Sequence, residues 1–143
     1  MDQTADARRS LRRLGHILIV EDDAVLALSM EATLIDAGAS RIEICHTTEE
    51  ALAALRRARP AVIVLDIQLA DRDDGWALAE LVDGLGPDRP RIVFSTGAPE
   101  RIPTEIAELG PVLTKPYAPA DLVRAVGTRR PRGFLSRLRR TAG

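Results

Sequence analysis

The chain of 143 residues has one cysteine, Cys45, and one lysine, Lys115. A single thiol excludes an internal disulfide and a cysteine-based zinc cluster, and it suits a reducing compartment. No apolar run approaches the length needed to span a bilayer, and the opening "MDQTADARRS" has no apolar stretch of the kind a secretory leader carries. These absences predict a soluble, cytoplasmic protein. The net charge of −1 hides a shortage of acid at both ends. Residues 128–143 hold six arginines and no acid, residues 1–14 hold four arginines and two aspartates, and residues 15–127 hold 10 basic and 19 acidic side chains. The length fits one domain over 15–127, between a basic N-terminal tail over 1–14 and an arginine-rich C-terminal tail over 128–143. With arginine in every other basic position, the lone lysine invites a specific role.

What is present is a strict alternation. "ILIV" at 17–20, "RIEICH" at 41–46, "AVIVL" at 61–65, "RIVFS" at 91–95 and "PVLT" at 111–114 read as strands. The first and third are continuously apolar, as strands covered on both faces are. Helix patterns lie between and after them. Leu26, Met30 and Leu34 repeat at helical spacing before Gly38, a residue suited to a helix C-terminus. Thr47 and Glu50 form a capping-box pattern ahead of "ALAALRRA". "GWALAELVDGLG" and "PADLVRAVG" supply two more helices, and "PERIPTEIAELG" a weaker one limited by Pro103. Five β–α pairs in this order predict a doubly wound α/β fold, a five-stranded parallel sheet flanked by five helices.

In such sheets ligands bind beyond the carboxyl ends of the strands. Strand one ends in Glu21-Asp22, strand three in Asp66, strand four in Ser95-Thr96-Gly97 and strand five in Lys115-Pro116. Oxygen anions with no thiolate among them suit a hard cation, Mg²⁺ above all. A lysine and a hydroxyl beside them suit phosphoryl oxygens. Phosphoryl transfer needs mainly positioning and charge neutralisation, and a carboxylate can be the nucleophile.

The stretches "ILIVEDD", "VLDIQL", "FSTG" and "TKP" together resemble the four marks of the response-regulator receiver domain (CheY-like) of two-component signalling, over Gly15 to Gly127. The resemblance implies a flavodoxin-like sheet of order 2-1-3-4-5. It implies that Asp66 accepts a phosphoryl group from a histidine kinase or phosphotransfer protein. Mg²⁺ would be held by Asp22, Asp66 and the Gln68 carbonyl, with Glu21 acting through water. Thr96 would be the switch hydroxyl and Lys115 the phosphate-binding lysine, and Lys115-Pro116 is a candidate cis peptide. The expected protein is a single-domain response regulator in a phosphorelay, a switch rather than an enzyme. It would signal through a protein partner and would have no DNA-binding output domain.

Two alternatives stand beside this. One is a degenerate receiver that binds a partner without phosphorylation. The other is an aspartyl phosphatase of the haloacid dehalogenase type, which would want a second aspartate where Gln68 stands. Val112 occupies the position, three before the lysine, where most receivers carry Tyr or Phe, and Ala70 replaces a usual proline. "FSTGAP" resembles the FAT GUY subgroup at Phe94, Thr96 and Gly97 and departs from it at Ser95 and Pro99.

Other residues have plainer readings. Asp23 suits an N-cap. Cys45 and His46 are adjacent on a strand, so they point to opposite faces and cannot pair as nucleophile and base. His16 reads as a strand-edge residue, Trp76 as packing, and Asp71, Asp73 and Asp74 as a solvated acidic loop. The segment "RRPRGFLSRLRR" could set Phe134, Leu135 and Leu138 along one side of a short helix. It reads as a loosely packed tail, or as a contact with an anionic membrane, nucleic acid or the protein's own acidic core.

Overall fold

The computed structural model describes residues 3–69 and 75–128. The loop readings at Ala70, Asp71, Asp73 and Asp74 and the arginine-rich segment beyond Thr128 lie outside the described residues. Strands β1 (Ile17–Val20), β2 (Ile42–Cys45), β3 (Val62–Leu65), β4 (Arg91–Thr96) and β5 (Val112–Thr114) form one parallel sheet of order β2-β1-β3-β4-β5. The helices are α1 (Gln3–Arg13), α2 (Ala24–Asp36), α3 (Thr48–Arg57), α4 (Trp76–Asp83), α5 (Thr104–Ala107) and α6 (Pro119–Gly127).

Side chains alternate across the sheet and so fill two cores. Leu18, Val20, Ile63, Leu65 and Phe94 pack on one face, under α3, α4 and α5. Ile17, Ile19, Val62, Val64 and Val93 pack on the other, under α1, α2 and α6. β1 and β3 are buried along their whole length, which is why their sequences are apolar without a break.

The caps follow the sequence pattern. Thr47 accepts from the Glu50 N–H at 3.0 Å. The Glu50 carboxylate accepts in turn from the His46 N–H at 2.9 Å, one residue ahead of the usual box partner. Gly38 ends α2 at φ +121°, in the left-handed region that glycine enters at little steric cost. The weak segment around Pro103 yields only a 3₁₀ turn at Pro99–Arg101 and the single turn of α5.

The expected basic tail over 1–14 is corrected by the structure. Gln3–Arg13 is a helix, so six helices rather than five are present among the described residues. Ala7, Leu11 and Leu14 repeat at i, i+4 and i+7 and are buried in the second core, while Arg8, Arg9, Arg12 and Arg13 stay in water. α1 lies close against α6: a Cβ on Gly127 would meet the Ala7 carbonyl oxygen at 2.5 Å. The Arg91 guanidinium donates to the carbonyls of Val126 and Thr128 and closes the end of α6.

α2 is apolar on nearly every side. Val25, Leu28 and Ile35 are exposed at 79%, 58% and 53%. No helix among the described residues is long and apolar enough to cross a membrane.

Candidate functional site

The carboxyl ends of β1, β3, β4 and β5 converge on one edge of the sheet, and backbone hydrogen bonds hold the residues just past them. Glu21 N–H donates to the Cys45 carbonyl at 2.9 Å, Asp66 N–H to the Val20 carbonyl at 3.0 Å, and Lys115 N–H to the Thr96 carbonyl at 2.8 Å. The ladder therefore continues one residue beyond β1, β3 and β5 and fixes where these side chains start, while Thr96 is the last residue of β4 itself.

Lys115 Nζ donates to Glu21 Oε1 at 2.6 Å and to Asp66 Oδ2 at 3.0 Å. Asp66 Oδ1 accepts from the Gln68 N–H at 2.9 Å. Glu21 is 1% exposed and Asp66 is 5% exposed, whereas Asp22 stands in solvent. One carboxylate oxygen from each of Glu21, Asp22 and Asp66 lies within 4.8 Å of the others. Thr96 is fully buried, and its hydroxyl accepts from the Ala98 N–H at 3.0 Å.

Burial pushes the Glu21 carboxyl up to about 7; the hydrogen bond from Lys115 works against this and the charge of Asp66 adds to it. For Lys115, burial alone would lower the pKa, but its hydrogen bonds to Glu21 and Asp66 win and hold it above the usual value. The lysine therefore stays charged at neutral pH. A clustered set of carboxylate oxygens at a half-open edge fits a hard divalent cation.

The structure thus brings Glu21, Asp22, Asp66, Thr96 and Lys115 to one place, with Gln68 beside them through its backbone. The Lys115-Pro116 peptide is cis, as the resemblance implies. Asp23 is the α2 N-cap, accepting from the Val25 and Leu26 N–H groups. Trp76 is half-buried against the first core. Cys45 is a buried thiol whose pKa burial raises to about 11, with Glu43 and Glu50 adding to the rise. It is correspondingly unreactive. His16 is buried at the start of β1, with Nε2 3.3 Å from Glu43.

Two features of the site leave no signal in the sequence. His46 Nδ1 lies 3.0 Å from the Glu21 carbonyl, so it touches the site through the main chain. Ser95 Oγ lies 2.8 Å from the Tyr117 hydroxyl, just behind Thr96 and Lys115. No periodicity signals either pair, because each depends on strand register and the path of a loop.

Residues 17–127 match the family described as the response regulator receiver domain. The chain is 36% identical over 108 residues to the phyllosphere-induced regulator PhyR of Methylorubrum extorquens, covering 74% of this chain and 40% of that one. It is 32% identical over 109 residues to the response regulator MprA of Mycobacterium tuberculosis, covering 75% and 46%. The chain spans less than half the length of these curated relatives. The structure superposes on PhyR of Brucella abortus with a TM-score of 0.69 at 27% identity, over 97% of this chain and 56% of that one. A CheY-like receiver domain from Methylobacillus flagellatus gives 0.67 at 26% identity, over 76% and 92%.

Proposed function

Because the chain belongs to the response-regulator receiver family, we propose that it is a phosphorylation-controlled switch with Asp66 as phosphoacceptor. A carboxylate oxygen of Asp66 attacks the phosphorus of a phosphohistidine on a histidine kinase or phosphotransfer protein. The P–N bond breaks as the O–P bond forms, and the imidazole leaves. Asp22, Asp66 and the Gln68 carbonyl would hold Mg²⁺, with Glu21 acting through water. When bound, the cation would supply charge neutralisation between carboxylates and phosphoryl oxygens. Lys115 binds a phosphoryl oxygen as a point charge, and the Thr96 hydroxyl, which only accepts in its loop bond, donates to another.

The observation that carries this reading is the placement of Lys115 Nζ between Glu21 and Asp66, with Asp22 in reach. The lysine offsets the repulsion of the two buried acids and stands where a phosphoryl group on Asp66 would lie. Exposed Val25 and Leu28, in the first turns of α2 next to this edge, offer a donor protein a surface to sit on. PhyR of Bartonella quintana is described as an anti-anti-sigma factor, and it is 26% identical to this chain over 89% of it. That relationship supports a protein as the immediate reader of the switch.

Val112 favours a second reading, a receiver that binds its partner in the same way with or without phosphate. The amide resonances of Asp66, Thr96 and Lys115 separate the two when Mg²⁺ and beryllofluoride, a phosphoryl mimic, are added. Movement of all three in the wild type and of none in Asp66→Asn is the expected result. Unmoved resonances in the wild type would leave only the binding module.

A further inference from the structure

Ser95 is 1% exposed and sits next to Thr96 on β4. Adjacent strand residues face opposite sides, so Ser95 points into the α2–α6 layer while Thr96 faces away from it. The Ser95 Oγ lies 2.8 Å from the hydroxyl of Tyr117, the chain's one tyrosine. Tyr117 is half-buried and packs on the second core. Its ring forms part of the wall of a groove of about 220 Å³ between α2 and the β5–α6 loop, together with Leu26, Met30, Thr33 and Leu122. A phenol set this deep among apolar side chains needs a polar partner for its hydroxyl, and Ser95 supplies one.

Both residues are tied to the phosphoacceptor centre through the backbone. Thr96 pairs with Thr114 in the sheet, and the Thr96 carbonyl accepts the Lys115 N–H at 2.8 Å. Lys115 Nζ then holds Glu21 and Asp66. The Thr96 hydroxyl accepts from the Ala98 N–H, which leaves its own proton to donate. A phosphoryl group on Asp66 would give that proton a new acceptor and would compete with Asp66 Oδ2 for Lys115 Nζ. Residues 95–96 and 115–117 are therefore coupled twice, once by the backbone bond and once by the hydroxyl pair.

We infer that Ser95 and Tyr117 are a positioning pair whose hydrogen bond sets the Lys115–Tyr117 segment and carries movement at Thr96 to the groove beside α2. The inference rests on the phosphorylation reading above. It also gives the chain an aromatic reporter on the α2–α6 side of the sheet, while Val112 leaves β5 without one on the opposite face. The pair is the link between switch and surface, and the groove wall is what moves.

The single tyrosine makes a clean test. Full-length protein carrying 3-fluorotyrosine gives one fluorine resonance, followed by NMR as acetyl phosphate and Mg²⁺ are added. The intact mass of the same sample gives the phosphorylated fraction. The expected result is a resonance that moves in step with that fraction. Ser95→Ala should displace the resonance before any donor is added and abolish most of the further movement. Ser95→Ala, Tyr117→Phe and the double variant should change the lifetime of the phosphorylated state by the same factor, as a coupled pair does. Phosphorylation seen by mass with an unmoved resonance overturns the inference and leaves the phosphorylation reading intact. A Ser95→Ala resonance that still moves as far as the wild type overturns it too. An unphosphorylated mass overturns both.

Discussion

Lys115 Nζ sits 2.6 Å from Glu21 Oε1, so the only lysine in the chain is spent on a carboxylate that is 1% exposed. Without a cation at hand, a buried glutamate beside a buried aspartate would take up a proton. The lysine is a built-in counter-ion, and a divalent cation at the same edge would share its task.

Removing that counter-ion leaves two acids uncompensated. Lys115→Ala should lower the stability of the metal-free protein by about 1–3 kcal/mol, the order expected when a buried charged hydrogen bond loses one partner. Millimolar Mg²⁺ should restore most of the loss. Chemical denaturation of both proteins, with and without Mg²⁺, checks this. Equal sensitivity to Mg²⁺ in both would count against shared neutralisation.

The raised pKa of Glu21 sets a pH window. The unfolded chain releases this proton near 4.5 and the folded chain near 7. Between those values the folded state holds the extra proton, so this group's contribution to stability falls as pH rises through the window. Glu21→Gln should flatten the dependence, read as the difference between wild type and variant in denaturation midpoints from pH 5 to 8. Cation binding has the opposite dependence: a protonated Glu21 is a poorer neighbour for Mg²⁺, so affinity should rise as pH passes through about 7, measurable by calorimetry.

α1 is part of the second core rather than an appendage. Leu11→Ala should cost about 2–4 kcal/mol, as large-to-small changes at fully buried sites do. Gly127→Val would drive a side chain into the Ala7 backbone. It should detach α1 and speed tryptic cleavage at Arg8, Arg9, Arg12 and Arg13, with later sites less affected. Unchanged cleavage would show that α1 can dock elsewhere.

The sheet and the site were legible for a shared reason. A parallel strand buried on both faces writes itself as an unbroken apolar run, and the polar residue that ends the run marks the sheet's carboxyl edge. Glu21, Asp66, Thr96 and Lys115 could therefore be placed together before any side-chain contact was known. α1 is hard to see in the sequence because its four arginines outweigh the Ala7–Leu11–Leu14 stripe on the opposite side of the helix. Pro103 marked a weak helix, but nothing in the sequence says that only one turn survives. The Ser95–Tyr117 bond depends on strand parity at one end and on a loop after Lys115 at the other, and neither leaves a pattern in the residues.

The proposed switch depends on Asp66 accepting a phosphoryl group at a site that needs a divalent cation. The direct measurement is intact mass after incubation with acetyl phosphate, for the wild type and Asp66→Asn, each with Mg²⁺ and with a chelator. One added phosphoryl group is expected in the wild type with Mg²⁺ and none in the other three samples. An adduct that survives Asp66→Asn, or one that forms equally well in chelator, would contradict it.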